Sequence, residues 1–358
     1  MKTTYELMHK NLCAAQIDTQ GHCSVYAGDF LPYDLYLEEA EDIDTLVNNV
    51  TNFYYWCATR VLTLDRQYAK EILNSIGASQ AVTDRERAQI ALSYRCVSLT
   101  DVFWVRREGE QVCFEDVNLY ENHLSNAFVD IALRGRQMTA NNLQLARDLS
   151  TNGCFPKAWL RTENGFQLLK DGGASAVENE LLASRICQCF HCRQVVYQEA
   201  LYDGEKVSSS DLMTSPERAI VSAAAFQVYA MNHDLNYQEE ILRLDAYQYH
   251  MMNILDYLTG NTDRHWGNWG LWIDTATNRP VSLHPLMDFN RTFGAYDTPD
   301  GANCQPEFPN RITQRAAAEK AVRSVGLNQV AEVKREWFGG RESDCEMFFC
   351  RLNILKKV

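Results

Sequence analysis

Three side chains in the C-terminal half have the types and the spacing that phosphoryl transfer from ATP requires. Asp263 is followed five residues later by Asn268, and a second carboxylate, Asp288, comes twenty residues after that. In kinases one Asp orients the attacking hydroxyl, while an Asn and a second Asp hold Mg²⁺ on the phosphates. The same spacing also arises by chance, and an Asp after a helix is often only a cap, so the neighbouring elements have to support the hypothesis.

The elements predicted around these residues would bring them together. Apolar residues recur at helical spacing up to Leu258 and stop at Gly260, which predicts a buried helix with Asp263 in the loop that follows it. Two short strands, 271–273 and 281–283, are predicted next, around a turn. A hairpin at this point would return the second carboxylate to the amide. Loop, hairpin and acid then follow in the order of a kinase catalytic centre.

A hairpin that carries a lysine is predicted upstream. Residues 158–161 and 165–170 are predicted strands, and the Asn-Gly pair between them is typical of a hairpin turn. Lys170 ends the apolar face of the second strand. Such a lysine is usually a surface residue whose charge reaches solvent. In a kinase it would instead contact the ATP phosphates.

An acidic helix and a further pair of strands follow the hairpin. Residues 176–186 predict a helix with acids in its first turn, where the helix dipole favours negative charge. In a kinase, one of these acids would pair with the strand lysine. Residues 195–197 and 206–208 predict two more strands, joined by Asp203-Gly204. This order of elements predicts two lobes with the nucleotide between them.

The first 140 residues contain no pattern of catalytic residues. Residues 48–76 predict one amphipathic helix. Residues 98–105 predict a turn that leads into an apolar strand, and residues 111–115 are the predicted partner of that strand. We therefore expect an accessory domain in this part of the chain.

The size and composition are typical of a globular protein with two domains. The chain has 358 residues, of which 46% are hydrophobic, and its net charge is −13. The acidic balance argues against a large nucleic-acid surface, and no stretch is apolar and long enough for a membrane span. The twelve cysteines, and an N-terminus without the apolar core of a signal peptide, predict reduced thiols and a cytoplasmic protein.

These motifs together resemble the HipA-like kinase family, in particular clostridial HipA-related proteins, and more distantly the catalytic loop of phosphatidylinositol kinases. The resemblance covers residues 145–295. Five motifs carry it, in this order: Gly153 to Lys157, Lys170, Asn179-Glu180, Asn261 to Asn268, and Pro285 to Asp288. Each motif is weak on its own, and their common order is specific.

The resemblance implies an α+β fold of the bilobal, protein-kinase-like type. A mixed α/β accessory domain (1–140) would precede a β-rich N-lobe (141–213) and a helical C-lobe (214–358). The resemblance also implies ATP and Mg²⁺ as cofactors. The expected reaction is transfer of the γ-phosphate to a hydroxyl, with protein Ser or Thr as the acceptor class.

The resemblance also assigns a role to each candidate residue. Asp263, Asn268 and Lys170 are the expected catalytic residues, and Asn268 and Asp288 are the expected ligands of Mg²⁺. The expected nucleotide-binding residues are Gly153, Lys157, Lys170, Glu180, Val207, Leu212 and His265. Glu180 would be the acidic partner of Lys170, and the adenine would lie against the strand near Val207 and Leu212. Ser150, just before the nucleotide loop, is at the position where the family phosphorylates itself, and the alternative is a serine that serves only as a turn residue.

The sequence departs from the family in two places, and three alternatives stay open. Gly267 stands where HipA has a lysine, and Phe289-Asn290 replaces the Phe-Gly of protein kinases. The alternatives are a small-molecule or lipid kinase, an enzyme that transfers AMP, and a non-catalytic ATP-binding regulator. The expected partners are ATP and a protein substrate, with no nucleic acid and no membrane insertion. Neither an antitoxin partner nor the target of HipA is carried over.

Overall fold

The chain divides into two compact units. The computed structural model describes residues 2–61, 69–75, 83–121, 155–163, 165–294 and 298–358. The first unit consists of Met1–Lys170, Leu212–Val221 and Ile273–Arg279. The second consists of Asp171–Asp211, Ser222–Trp272 and Pro280–Val358. The chain therefore passes from one unit to the other more than once.

An antiparallel sheet and its helices form the N-terminal part of the first unit. The strands are β1 Thr4–His9, β2 Leu12–Asp18, β3 Cys23–Val25 and β4 Phe103–Arg107, in the order β3-β2-β1-β4. The helices are α1 Ile43–Thr59, α2 Ala69–Ser75, α3 Asp84–Ser93 and the short α4 Phe114–Val117. Lys10, with a φ of 50°, lies in the tight turn between β1 and β2. The sheet is completed by β4, which pairs with β1 across a long stretch of sequence.

Two predictions for this region are wrong. The single helix predicted over 48–76 does not form, because α1 ends at Thr59 and Arg60 turns inward to a buried ion pair with Asp101 at 2.8 Å. Residues 111–115 do not pair with β4, because β1 is its partner and Phe114 begins α4. In both cases a contact with a distant part of the chain outweighs the local pattern.

Two antiparallel hairpins follow. β5 Lys157–Thr162 and β6 Gly165–Lys170 pair within the first unit, which confirms the strands predicted there. β7 Gln198–Tyr202 and β8 Glu205–Asp211 pair within the second unit. The turn between β7 and β8 has two left-handed residues, with φ values of 52° and 78°, as two-residue hairpin loops favour.

The strand predicted at 195–197 begins three residues later than expected. The backbone N–H of Val195 donates to the carbonyl of Leu286 at 2.9 Å. The N–H of Tyr197 donates to Ser184 Oγ at 3.0 Å. These residues are therefore bonded to other segments of the second unit and do not extend the hairpin.

A three-stranded sheet and five longer helices complete the described fold. The strands β9 Arg218–Ser222, β10 Gly270–Asp274 and β11 Arg279–Leu283 have the order β11-β10-β9. The helices are α5 Ala174–Cys187, α6 Ala223–Asn232, α7 Tyr237–Thr259, α8 Gln314–Val325 and α9 Glu342–Leu355. None of the helices in the described ranges combines the length and the apolar character needed to cross a bilayer.

The ends of two helices bear on the candidate site. α7 ends at Gly260 in a left-handed conformation, with a φ of 62°, as predicted. α5 begins two residues before the predicted start, with Gly173 as its N-cap and no acid in its first turn. Glu178 and Glu180 therefore lie beyond the first turn, and the prediction that they are stabilised by the helix dipole is wrong.

The architecture is a mixed α+β fold with antiparallel sheets, as the sequence predicts. The bilobal arrangement and the three domain boundaries stay predictions.

Candidate active site

The loop after α7 is held by the last buried residues of that helix. Gly260 turns the chain, and the N–H of Asn261 donates to the carbonyl of Asp256 at 2.9 Å. The side-chain amide of Asn261 donates to Asp256 Oδ1 at 2.9 Å. Its Oδ1 accepts from the N–H of Asp263 at 3.1 Å. Asp256 therefore sets the path of the loop up to the first candidate carboxylate.

A buried ion pair joins the helix to the same loop. The side chains of Asp256 and Arg264 are 6% and 2% exposed, and Arg264 Nε donates to Asp256 Oδ2 at 2.9 Å. Arg264 Nη2 donates to Asp256 Oδ1 at 3.0 Å. Arg264 Nη1 donates to the carbonyls of Asn268 at 2.7 Å and Met287 at 2.5 Å. One side chain thus fixes the backbone at the candidate amide and directly before the candidate metal-binding Asp288.

Arg264 stays charged in spite of its burial. Burial alone would lower the pKa of Arg264, but the adjacent Asp256 carboxylate outweighs it, so the pKa lies above its usual value. The carboxylate of Asp288 acts in the same direction. The guanidinium also lies over the buried ring of Phe289, 5.2 Å from its centre. The loop therefore carries a permanent positive charge that interacts with the Asp288 carboxylate.

The side chain of Asn268 is oriented by the backbone of Asp263. Asn268 Nδ2 donates to the Asp263 carbonyl at 2.7 Å, and the Asn268 N–H donates to the His265 carbonyl at 2.9 Å. Asn268 Oδ1 has no hydrogen-bond partner in the part of the chain that the structure describes. Because the amide nitrogen is engaged, the oxygen is the atom available to a cation.

The carboxylate of Asp263 is accessible. Its side chain is 25% exposed, and Oδ2 lies 3.7 Å from Nε of Arg291, which is itself 51% exposed. Ion pairs with this much exposure contribute about 0 to 1 kcal/mol. Among the described residues no hydrogen bond reaches the carboxylate oxygens of Asp263. They can therefore accept a hydrogen bond from an incoming hydroxyl at little cost.

Asp288 lies in a turn with an uncommon backbone conformation. Its φ is 62°, in the left-handed region that costs most L-residues roughly 1–2 kcal/mol but that Asp and Asn visit more readily. Its N–H donates to the hydroxyl of Tyr197 at 3.2 Å. The contacts of the second unit hold the turn in this conformation, and conformations of this kind cluster at functional sites.

Asn179 on α5 holds the segment that follows Asp288. Its Nδ2 donates to the carbonyls of Asn290 at 3.3 Å and Thr292 at 2.9 Å. Its Oδ1 accepts from Arg341 at 2.6 Å. Thr292 Oγ1 lies within hydrogen-bond distance, 3.4 Å, of the Asn179 carbonyl. The nitrogen of the side-chain amide therefore fastens the turn to the helix, and its oxygen is held by Arg341.

Three further candidates lie in the second unit. Glu180 is buried on α5, and one of its oxygens accepts a hydrogen bond of 2.5 Å from Ser208 Oγ. Val207 precedes Ser208 in β8 and is fully buried. His265 is exposed, and its Nδ1 accepts from the N–H of Gly267 at 3.0 Å. The nucleotide-binding roles of these residues stay predictions.

The remaining described candidates lie at one hairpin of the first unit. Lys157 and Lys170 are directly opposite each other in β5 and β6, and Lys170 is 7% exposed. The N–H of Leu212 donates to the carbonyl of Phe166 in β6 at 3.0 Å. The hairpin thus collects three of the candidates. Two others lie outside the described residues: Ser150 and Gly153.

The motifs in the sequence assign no role to the residues that hold the loop together. Asp256 lies outside the motifs, while Asn261, Arg264 and Asn179 lie within them without a role of their own. A signal for the ion pair does exist, because Asp256 is a single acid in the apolar end of a helix. A buried acid needs a charged partner, and Arg264 lies eight residues later.

The candidate ligands fit Mg²⁺ that is bound together with nucleotide. Among the described residues, no group of three His, Cys, Asp or Glu side chains converges as in a preformed metal site. Asn268 and Asp288 offer an amide oxygen and a carboxylate oxygen, which are hard ligands. Mg²⁺ keeps several waters and takes further ligands from substrate phosphates, so one or two protein ligands suffice.

The structure resembles that of HipA over the whole chain. HipA from Shewanella oneidensis MR-1, solved in a complex of its toxin-antitoxin system with HipB and operator DNA, matches with a TM-score of 0.55 at 12% sequence identity. The match covers 99% of this chain and 99% of that chain. At this identity the similarity concerns the fold. The resemblance to HipA that the motifs predict is confirmed at that level.

A second solved structure also matches, over part of the chain. The proinflammatory kinase CtkA from Helicobacter pylori has a TM-score of 0.44 at 15% identity, covering 58% of this chain and 89% of that chain. No family model matches the sequence. No curated protein matches it either.

We expect Asp256→Ala to destabilise the protein strongly, because it leaves the charged Arg264 buried without its partner. Removing one member of a buried ion pair costs about 3–5 kcal/mol. The free energy of unfolding in urea measures the loss. The control is Glu240→Ala, which removes the partner of the exposed Arg243 on the same helix and should cost less than about 1 kcal/mol. Similar losses in both variants would contradict the role given to the buried pair.

We expect Asn179→Ala to loosen the turn after Asp288 without unfolding the chain. The variant loses hydrogen bonds worth about 1–3 kcal/mol in total, so amide exchange at Thr292 and Phe293 should become roughly five- to a hundredfold faster. Hydrogen-exchange mass spectrometry measures these amides. Glu178→Ala, at an exposed position on the same helix, is the control and should leave them unchanged. Unaltered exchange in Asn179→Ala would show that other contacts hold the turn.

Proposed function

We propose that this chain is an ATP-dependent, HipA-like kinase that transfers the γ-phosphoryl group to a protein Ser or Thr. The observation that carries the proposal is the 2.7 Å bond from Asn268 Nδ2 to the Asp263 carbonyl. It leaves the amide oxygen open, while Arg264 ties the same segment to the carbonyl of Met287. An acceptor-orienting carboxylate, an amide oxygen and a second carboxylate are then supported by one network, as phosphoryl transfer requires.

In this proposal the residues of the chain position and neutralise the reactants and form no covalent intermediate. Asp263 accepts a hydrogen bond from the acceptor hydroxyl and would take up its proton as the bond from that oxygen to the γ-phosphorus forms, while the bond from the γ-phosphorus to the bridging oxygen breaks and ADP leaves. Asn268 Oδ1 and Asp288 hold the cation. Bound Mg²⁺-ATP supplies the transferable phosphoryl group. Lys170 contacts the phosphates, with Glu180 as its acidic partner.

The similarity of the fold to that of HipA is a second observation that supports the proposed kinase function. The similarity to HipA extends over 99% of the chain and so includes both the N-terminal residues and the residues of the candidate site. A small-molecule or lipid kinase would use the same three residues around Asp263 and would differ only in its acceptor site. The acceptor class is therefore the part of the proposal that an experiment has to test separately.

Incubation of the purified chain with Mg²⁺, ATP labelled on the γ-phosphate and a host lysate tests the proposal. Label on protein Ser or Thr supports it. Label confined to the lipid or small-molecule fraction would keep the kinase and overturn the protein acceptor. Nucleotide binding without any transfer would identify a non-catalytic regulator and overturn the kinase itself.

We expect Asp263→Asn to lower the rate of transfer by about 10²- to 10⁴-fold, the usual contribution of a positioned general base. The affinity for Mg²⁺-ATP should stay near that of the wild type, because the binding energy comes from other contacts. Single-turnover kinetics and calorimetry separate the two quantities. Asp234→Asn, an exposed left-handed position that Asn tolerates, is the control. Loss of nucleotide binding in Asp263→Asn would contradict its assignment to the acceptor.

We expect Asp288→Asn to weaken the Mg²⁺-dependent part of nucleotide binding. Asn is the appropriate substitution because it tolerates the φ of 62° while removing the charge. The loss should be at least about tenfold, since even outer-shell changes at metal sites cost that much. Calorimetry with ATP in the presence of Mg²⁺ and of EDTA measures it. If Asp288→Asn kept the full dependence on Mg²⁺, its carboxylate would have a structural role only.

A further inference from the structure

A polar cleft of about 330 Å³ opens in the first unit, beside α3 and the paired ends of β1 and β4. This volume lies at the lower end of the range for small-molecule sites, roughly 300–1,000 Å³. Seven of its nine lining residues are polar: Tyr5, Gln89, Ser93, Arg95, Arg106, Arg107 and Glu110. None of them belongs to the candidate active site.

The charges of the cleft are unevenly matched. Arg95 forms an ion pair with Glu110 at 2.5 Å, and Arg106 is paired with Glu6. The exposed side chain of Arg107 makes no hydrogen bond or ion pair with any residue in the described ranges. Arg106 and Arg107 are successive residues of β4, so their side chains point to opposite faces of the sheet, and the Arg106 guanidinium is bonded to Glu6 and to the Val112 carbonyl. In a chain with a net charge of −13, this concave site therefore keeps the guanidinium of Arg107 available, with that of Arg95 also in the lining.

Two uncharged donors without a partner among the described residues also line the cleft. Tyr5 is directly opposite Arg107 in the pairing of β1 with β4, and Gln89 reaches the cleft from α3. Within the described part of the chain, neither the Tyr5 hydroxyl nor the Gln89 amide has a hydrogen-bond partner. Burial raises the pKa of the Tyr5 hydroxyl, which therefore stays a proton donor at neutral pH. The cleft thus presents guanidinium, hydroxyl and amide donors toward the same space.

A strained turn brings Arg95 to this space. Arg95 and Cys96 follow each other in the left-handed region, with φ values of 62° and 54°. The Arg95 carbonyl accepts from the N–H of Val105 in β4 at 2.8 Å, and the Cys96 N–H donates to the Ala91 carbonyl at 2.8 Å. Consecutive residues of this kind are uncommon, and such conformations concentrate at ligand and active sites. The turn fixes Arg95 against the strand that carries Arg107.

We propose that this cleft binds a small molecule that carries a phosphate monoester, with Arg107 as the principal contact. A phosphate carries about −1.5 to −2 charges near neutral pH. That charge suffices to form a bidentate pair with Arg107 and to share Arg95 with Glu110. A ligand with a single carboxylate has about half of this negative charge, so it competes poorly with Glu110 for Arg95. The N-terminal region then has a ligand-binding role that does not depend on the proposed kinase activity.

Calorimetry on the full chain, with glycerol 3-phosphate as the probe and glycerol as its neutral counterpart, tests the proposal. We expect glycerol 3-phosphate to bind with a Kd tighter than about 1 mM, and glycerol not to bind. Arg107→Gln should weaken binding by at least about tenfold, because it removes the bidentate contact. Arg85→Gln is the matched control, since Arg85 lies on α3 against the ring of Tyr54, outside the cleft.

A second measurement locates the probe. Modification by phenylglyoxal, followed by peptide mass spectrometry, should show that glycerol 3-phosphate protects Arg107 and leaves Arg85 reactive. Arg107→Lys keeps the charge but loses the planar fork, so its affinity should lie between wild type and Arg107→Gln. Three results would overturn the proposal: no binding of the probe, equal affinity in Arg107→Gln, or binding that leaves Arg107 unprotected.

Discussion

The buried pair of Asp256 and Arg264 is the interaction on which the candidate site depends. A guanidinium that is 2% exposed is tolerated only where a carboxylate and further acceptors satisfy its donors. Two of the acceptors of Arg264 are backbone carbonyls, at Asn268 and Met287. The electrostatic requirement of one buried side chain therefore sets the course of two segments that lie about twenty residues apart. A lysine ammonium, a single point charge, could not serve both segments and the carboxylate.

Much of the local structure could be predicted from the sequence, because it depends on neighbouring residues. The β5–β6 hairpin follows from alternation and turn chemistry, and the end of α7 follows from Gly260. The loop that carries Asp263 follows from that helix end. The hydrogen-bond network around Asp263 and Asn268 could not be predicted from the spacing of the motif residues. The network depends on Asp256, and the role of Asp256 becomes evident only once its burial is known.

The wrong secondary-structure predictions have one physical cause: contacts with distant parts of the chain compete with the local preference of each segment. The helix predicted over 48–76 is interrupted where Arg60 meets Asp101, 41 residues away. The predicted partner of β4 is displaced by β1, and the strand predicted at 195–197 is bonded elsewhere in the second unit. A single sequence contains the propensities of each segment but not the pairing that decides between them. The left-handed turns at Arg95 and Asp288 could not be predicted either, because neither residue is a glycine, which would have signalled a positive φ.

The turn at Asp288 shows how these contacts bear on the proposed chemistry. A left-handed Asp is retained only where its surroundings determine it, and three separate contacts do so. Arg264 binds the carbonyl before Asp288, Tyr197 accepts from its N–H, and Asn179 binds the carbonyls after it. The backbone is thus fixed on both sides without any contribution from a ligand. In phosphoryl transfer the protein acts mainly through position and electrostatics. Because the turn that carries the Asp288 carboxylate is already ordered, little of the binding energy of Mg²⁺-ATP would be lost in ordering it.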